Sequence, residues 1–403
     1  MKTVVIIGGG ASGMMAALTA SEDKENRIIL LERQQRVGKK LLATGNGRCN
    51  LTNTGASPES YKGTDPAFAA PTLGKVPPEK VLELFNSLGL LTVTEYGGRV
   101  YPLSNSANSV VDVLRFALDK ENIELRAACP AREIKKAGSG FAVVTDDGEI
   151  NADHVIVACG GAAGVKQGGV SDGYELLKPL GHRRTALHPS LVQLKTDPAY
   201  PRALKGVRAQ AALRLTLDGE LLAESRGELQ FTETGLSGPA AFDVSRAASF
   251  CSEGGTVSAD LLPDYDESAV EALLENKVTA LPQLCAEELF TGILHNRLGK
   301  MLVKYAGIAG TKPLGELTRD EISAAVRACK DFSLALYGTE GFDNAQVTAG
   351  GVKTSGFDPE TLESRYVKGL FVCGELLDID APCGGYNLQW AWASGAVAGR
   401  LGK

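Results

Sequence analysis

At 403 residues the chain exceeds the size at which one hydrophobic core stops growing, so two or more domains are expected. Apolar residues at 44% and charged residues at 22% exclude a disordered or collagen-like polymer. The formal net charge of −6 lacks the basic excess that phosphate neutralisation requires, which argues against a dedicated nucleic-acid-binding role.

The chain opens on an apolar, β-branched strand at residues 3–7, a glycine turn at 8–13, a helix-prone run at 11–20 and a second apolar strand at 28–31, which together read as one βαβ unit. The turn is Gly8-x-Gly10-x-x-Gly13, with Ala11 and Ser12 between the last two glycines and Glu32 nineteen residues beyond Gly13. Each part has a physical task. The first glycine permits the tight turn, the second lets backbone approach a pyrophosphate, and the third lets helix pack on strand. Amides at the helix start meet phosphate oxygens, while the Glu32 carboxylate accepts from ribose hydroxyls. Dinucleotide binding is the expectation.

A loop rich in Gly, Asn and Lys follows. It contains Lys39, Lys40 and the block Ala43-Thr44-Gly45-Asn46-Gly47-Arg48-Cys49-Asn50, whose glycines and amides suit close wrapping of an anionic ligand. Helical spacing recurs at residues 77–88 and 106–120, and a short antiparallel meander is expected over 131–136, 140–145 and 149–151. Residues 155–158 return to the continuous apolar run of a buried parallel strand. From about residue 190 the texture turns to alternating segments at 209–217 and 228–232, with helical periodicity at 266–279, 285–296 and 318–329. Near residue 346 the first texture returns, ending in a strand at 370–373 and a helix at 387–401. The corresponding domains are 1–190 with 346–403, a β-rich domain at 191–262 with 326–345, and a helical insert at 263–325.

The C-terminal part separates FAD from NAD. A carboxylate just after a strand, Glu375 following Gly374, can bind ribitol hydroxyls, and Gly384-Gly385-Tyr386-Asn387 opens a helix whose free amides favour an electron-rich flavin. NAD has no ribitol to account for this second contact region. No apolar run approaches the roughly 18–20 residues of a membrane span, and residues 4–7 are too short for a signal-peptide core. Eight cysteines without a C-x-x-C pair and four histidines match neither a zinc site nor a disulfide framework. A soluble, cytoplasmic protein that binds no metal, membrane or nucleic acid is expected.

These blocks resemble the bacterial FAD-dependent oxidoreductases described as aminoacetone-oxidase-like or bile-acid-reductase-like. The likeness runs through Ile6–Gly13, residues 39–53, Gly98-Arg99-Val100-Tyr101-Pro102, FTETGLSGP at 231–239, VTAGGV at 347–352, and residues 369–378 and 384–392. It implies a glutathione-reductase-type FAD domain of Rossmann-like α/β class, interrupted by a β-barrel that carries a helical insert. It also implies FAD contacts at Gly8, Gly10, Ala11, Ser12 and Gly13 for the pyrophosphate, and at Glu32 and Arg33 for the adenosine ribose. Asn46, Gly47, Arg48, Cys49 and Asn50 would surround the ribitol and flavin, Ala131 the adenine, and Cys159 and Gly160 a strand end. Gly374, Glu375, Gly385, Tyr386, Asn387 and Leu388 would meet the ribitol and ring. Cys159 stands where related flavoproteins often have Thr.

The flavin performs the hydride transfer, so the protein orients the substrate and supplies a proton. Tyr386, Asp378, Asp380, Tyr101 and Arg48 are the candidate donors, each with a plain packing or turn-capping alternative, and no catalytic residue is assigned. Cys383 has no partner cysteine nearby in sequence for a thiol relay. With a single G-x-G-x-x-G, the reductant NAD(P)H is met transiently or the flavin is reoxidised by oxygen. The reaction on a small organic substrate is enone reduction or amine oxidation; a non-catalytic flavin sensor or partner-binding protein is the competing class. The inserted domain is expected to roof the flavin through residues 231–239.

Overall fold

The computed structural model describes residues 1–169, 172–251 and 254–403. The chain divides into one unit of Met1–His188 with Phe342–Lys403 and a second of Pro189–Gly341.

In the first unit, strands Leu370–Val372, His154–Val157, Lys2–Ile7, Asn26–Leu31 and Ile123–Arg126 lie side by side in that order, and every neighbouring pair is parallel. Val4, Val5 and Ile6 are fully buried because both faces of the sheet are covered, which is why the strand reads as a continuous apolar run. Burial of each such side chain contributes about 1.5–3 kcal/mol.

Helix Ala11–Ala20 follows the first strand and packs along the C-terminal helix Tyr386–Gly399. The approach is close enough that a methyl group on Gly395 would lie 2.3 Å from the Ser12 carbonyl oxygen, and one on Gly399 would lie 2.7 Å from that of Ala16. The C-terminal helix is apolar nearly all round and carries buried polar ties. Trp392 Nε1 donates to the Leu51 carbonyl, Trp390 Nε1 to that of Gly374, and Gln389 Nε2 to that of Val76. The expected helices appear as Pro78–Ser87 and Ala107–Ala117, and the meander as Ala131–Ala137, Gly140–Thr145 and Gly148–Ala152. Within the stretch expected to be a loop, Lys39–Ala43 forms a short helix. Strands Thr52–Asn53, Arg99–Pro102 and Thr92–Thr94 form a small antiparallel sheet that sets Tyr101 and Thr52 on adjacent strands.

In the second unit six strands close a barrel in the order Leu194–Thr196, Gly235–Ser237, Glu220–Phe231, Arg208–Leu217, Thr256–Asp260 and Phe332–Thr339. Ala211, Leu213 and Leu215 point inward at the period-two spacing that marks a half-buried strand. Between the last two strands come helices Glu267–Ala280, Asn296–Tyr305 and Arg319–Lys330, the third running past the expected border at residue 325. Asp266 caps the first by accepting from Ala269 N–H, and Thr318 with Glu321 forms a capping box on the third.

The helix expected over 285–296 is not formed. That stretch holds one 3₁₀ turn at Ala286–Glu288, and Gly292 at φ +86° breaks the run before the next helix starts at Asn296. Helix Pro239–Phe250 lies inside residues 191–262, expected as part of the β-rich domain, beyond the alternating segments at 209–217 and 228–232. The architecture is an α/β Rossmann-type domain interrupted in sequence by a closed barrel with a helical insert.

Candidate functional site

The site gathers at the carboxyl ends of the parallel strands, where open α/β sheets bind ligands. The three glycines of the N-terminal turn have different surroundings. A methyl on Gly8 would lie 2.5 Å from the Ala158 carbonyl oxygen, and one on Gly13 would lie 1.8 Å from that of Gly8. Both positions are therefore dictated by packing of the turn and the helix. Gly10, at φ −81° and ψ −169°, caps the helix, and a methyl there would meet no protein atom within 4 Å. Ala11 opens the helix and Ser12 lies buried in its first turn.

Glu32 directly follows the second strand, 8% exposed, with one carboxylate oxygen accepting from Gly9 N–H at 2.8 Å and the other from Gln34 N–H at 2.7 Å. Burial raises its pKa against the pull of these two amides. Arg33 is paired with Asp172 at 3.0 Å. Cys129 N–H bonds the Glu32 carbonyl, which brings the segment leading into Ala131 beside the same strand end.

The block from 44 to 50 is a chain of left-handed residues: Gly45, Asn46, Gly47 and Cys49 all have positive φ. Alanine-like side chains are excluded at Gly45, where a methyl would lie 2.9 Å from Asn50 N, whereas Gly47 faces open space. Arg48 is ion-paired with Glu95, bonds Asn105, and stacks over the Tyr101 ring at 3.9 Å. Tyr101 is buried, and burial lifts its phenol pKa, so it holds its proton at neutral pH. Cys49 and Cys159 are inert, their thiols pushed up to about 12 by burial.

Asn53 Nδ2 donates to the Gly384 carbonyl at 2.9 Å and Thr52 Oγ1 to Gln389 Oε1 at 2.7 Å, so the N-terminal block and the start of the C-terminal helix interlock. Gly385, at φ +101°, is held 2.4 Å (as a methyl) from the Thr52 carbonyl oxygen. The first helical amide to bond back is Gln389 N–H, onto the Gly385 carbonyl, which leaves the amides of Tyr386, Asn387 and Leu388 at the open helix start. The Asn387 side chain instead clasps Ala381, and the Tyr386 carbonyl accepts from Tyr61 Oη.

Gly160, left-handed at φ +74°, also faces open space, while a methyl on Gly374 would lie 2.4 Å from Ser12 Oγ. Glu375 accepts from Lys40 Nζ and from Thr348 N–H. Asp378 is buried and accepts from Thr64 through both N–H and Oγ1, and Asp380 is buried as well, so neither carboxylate is free for substrate. Lys40 stands in the loop that the sequence marks for an anionic ligand, but its partner Glu375 is not legible there, and Thr52 and Thr348 fall inside the blocks of family likeness without a role of their own.

FAD fits these residues. Asn50 Oδ1 is a buried acceptor with no hydrogen-bond partner in the protein, and three glycines, Gly10, Gly47 and Gly160, leave open space where side chains would otherwise stand. A ligand bearing hydroxyl or N–H donors, a phosphate pair and a flat ring answers to that set. Among the described residues no group of His, Cys, Asp and Glu could hold a metal ion, no helix is long and apolar enough to cross a membrane, and none of the eight cysteines is in a disulfide.

Residues 2–401 match the family model described as HI0933-like protein Rossmann domain. The 3-dehydro-bile acid delta(4,6)-reductase of Clostridium scindens is 41% identical over 377 residues, spanning 93% of this chain and 92% of that protein. The ribosomal RNA dihydrouridine synthase of Escherichia coli is 30% identical over 368 residues, spanning 91% and 90%. Among solved structures, the open conformation of a flavocytochrome c3 fumarate reductase covers 100% of this chain and 77% of its own at 16% identity and a TM-score of 0.47.

Proposed function

The chain belongs to the HI0933-like Rossmann-domain family and is an FAD-dependent oxidoreductase, and from that premise we propose that it reduces a carbon–carbon double bond conjugated to a carbonyl in a small organic substrate. The observation that carries this reading is the likeness, over nearly the whole chain, to two proteins whose names share one chemistry. A delta(4,6)-reductase of a 3-dehydro bile acid and a synthase of dihydrouridine each add two hydrogens across a double bond next to a carbonyl. Amine oxidation has no such support.

Bound FAD, once reduced, supplies the hydride for such an addition. The residues of this chain hold and surround it. The Gly8–Gly13 turn and its helix start take the pyrophosphate, Glu32 the adenosine ribose, and Asn50 Oδ1 a donor of the ribitol or ring. The open amides of Tyr386, Asn387 and Leu388 place partial positive charge where the ring gains electrons. Tyr101, protonated and flanked by the Arg48 guanidinium, is the donor best suited to hydrogen-bond a substrate carbonyl or return a proton, because Asp378 and Asp380 are committed elsewhere. NAD(P)H, met transiently, is the reductant in this reading. A small molecule is preferred to ribosomal RNA because the chain carries a net charge of −6, and a cytoplasmic setting agrees with eight cysteines of which none is in a disulfide.

The test is a paired assay of the purified holoprotein with NADH or NADPH, offering a 3-oxo-4,6-diene steroid and, separately, ribosomal RNA lacking dihydrouridine. Loss of the steroid double bond is expected. Modification of RNA alone, or of neither, would overturn the small-molecule reading.

A further inference from the structure

Glu375 has both carboxylate oxygens engaged by protein. Oε2 accepts from Lys40 Nζ at 2.7 Å and Oε1 from Thr348 N–H at 2.8 Å, and the two charged side chains are only 31% and 20% exposed. Thr348 is itself tied down, its Oγ1 accepting from Ala163 N–H at 2.9 Å. Each carboxylate oxygen has a second lone-pair site, so Glu375 remains a two-fold acceptor in a fixed orientation.

The route of the ion pair matters more than its length. Lys40 comes from the segment after strand Asn26–Leu31, and Glu375 from the one after Leu370–Val372. Strands Lys2–Ile7 and His154–Val157 lie between those two strands, so the pair joins segments that leave the sheet from non-adjacent positions. The loops after the two intervening strands carry the open glycines Gly10 and Gly160, and the segment leading to Lys40 is tied to the first of these loops by Gly38 N–H on the Gly9 carbonyl. The lysine stem passes Gly164, where a methyl would touch its Cε at 3.7 Å. On the other side, Gly374 rests on Ser12 in the first turn of the N-terminal helix.

We propose that Lys40 is a positioning residue for FAD: by pairing with Glu375, it fixes the carboxylate that accepts the ribitol hydroxyls. The inference rests on the cofactor placement proposed above. A half-buried carboxylate deprived of its cation turns toward water, which removes an acceptor from the ribitol.

The experiment is a double-mutant cycle on FAD affinity, read by flavin fluorescence in apoprotein prepared from Lys40→Met, Glu375→Gln and the double variant. Lys40→Met should raise the FAD Kd by about tenfold to a hundredfold, the effect of losing a charged hydrogen-bond partner. In the Glu375→Gln background the same change should alter Kd by less than about twofold, since a residue acting through another has nothing left to act on. Lys40→Arg, which keeps the charge, should restore most of the affinity, and the apoprotein melting temperature should not move. An equal effect of Lys40→Met in both backgrounds, no effect in either, or a matching loss of apoprotein stability overturns the proposal. If Glu375→Gln alone leaves Kd unchanged, the ribitol contact falls while the oxidoreductase reading, tested by turnover, is untouched.

Discussion

Replacing Gly10 by alanine separates cofactor binding from folding. The backbone there is extended, at φ −81° and ψ −169°, a conformation alanine adopts freely, and the added methyl meets no protein atom within 4 Å. Apoprotein stability should therefore be unchanged or raised by up to about 1 kcal/mol through the stiffer unfolded chain. The methyl does enter the space through which backbone approaches the pyrophosphate. Loss of one charge-assisted amide–phosphate bond costs about 1.5–3 kcal/mol, so FAD affinity should fall about tenfold to 150-fold. Gly13→Ala is the contrasting control, because its methyl would lie 1.8 Å from the Gly8 carbonyl oxygen and must disturb the turn itself. Urea unfolding of the apoproteins and fluorescence titration with FAD give the two readouts. Normal FAD affinity in Gly10→Ala, or apoprotein destabilisation equal to that of Gly13→Ala, would refute the reasoning.

Gly395→Ala should destabilise the FAD domain by about 1–3 kcal/mol, because its methyl would sit 2.3 Å from the Ser12 carbonyl oxygen and force the two helices apart; an unchanged melting temperature would contradict this. His182 is buried and stacked on Phe357 at 4.4 Å, and burial holds its imidazole down at about 4 against an ordinary 6.5. The unfolded chain therefore protonates first, so this stability is complete above about pH 6.5 and is lost as the pH falls toward 4, to the extent of about 3 kcal/mol. His182→Phe should flatten the fall in urea midpoint between pH 7 and pH 4.5, and an identical slope in the variant would show that another group is responsible. Cys383→Ser should retain flavin turnover, since none of the eight cysteines forms a disulfide; abolished turnover with full FAD occupancy would count against it.

Local chemistry explains what could be read from sequence. The first βαβ unit was legible because its strands are buried on both faces and its turn needs glycine for steric reasons that any sequence with this geometry must meet. The barrel strand Arg208–Leu217 showed its period-two pattern because only one of its faces is buried. Helix Asn296–Tyr305 was obscured by Gly299, an unfavourable helix residue whose place is set by contact: a methyl there would lie 2.7 Å from Phe290 Cβ. Helix Pro239–Phe250 begins directly after a barrel strand, with the proline at its first turn as the only start signal. In the site, the glycines and Glu32 announced themselves by spacing. The bond between Lys40 and Glu375, 335 residues apart in sequence, and the commitment of Asp378 to Thr64 depend on how distant segments meet, which no local pattern encodes.

The central claim, that this flavoprotein reduces an activated double bond, is tested most directly by single turnover. The holoprotein is reduced under anaerobic conditions, freed of excess reductant and mixed with a 3-oxo-4,6-diene steroid while the flavin spectrum and the steroid are followed together. Return of the oxidised flavin spectrum with one double bond saturated per flavin is the expected result. A flavin that stays reduced in the presence of the steroid, and reoxidises only when oxygen is admitted, would contradict it.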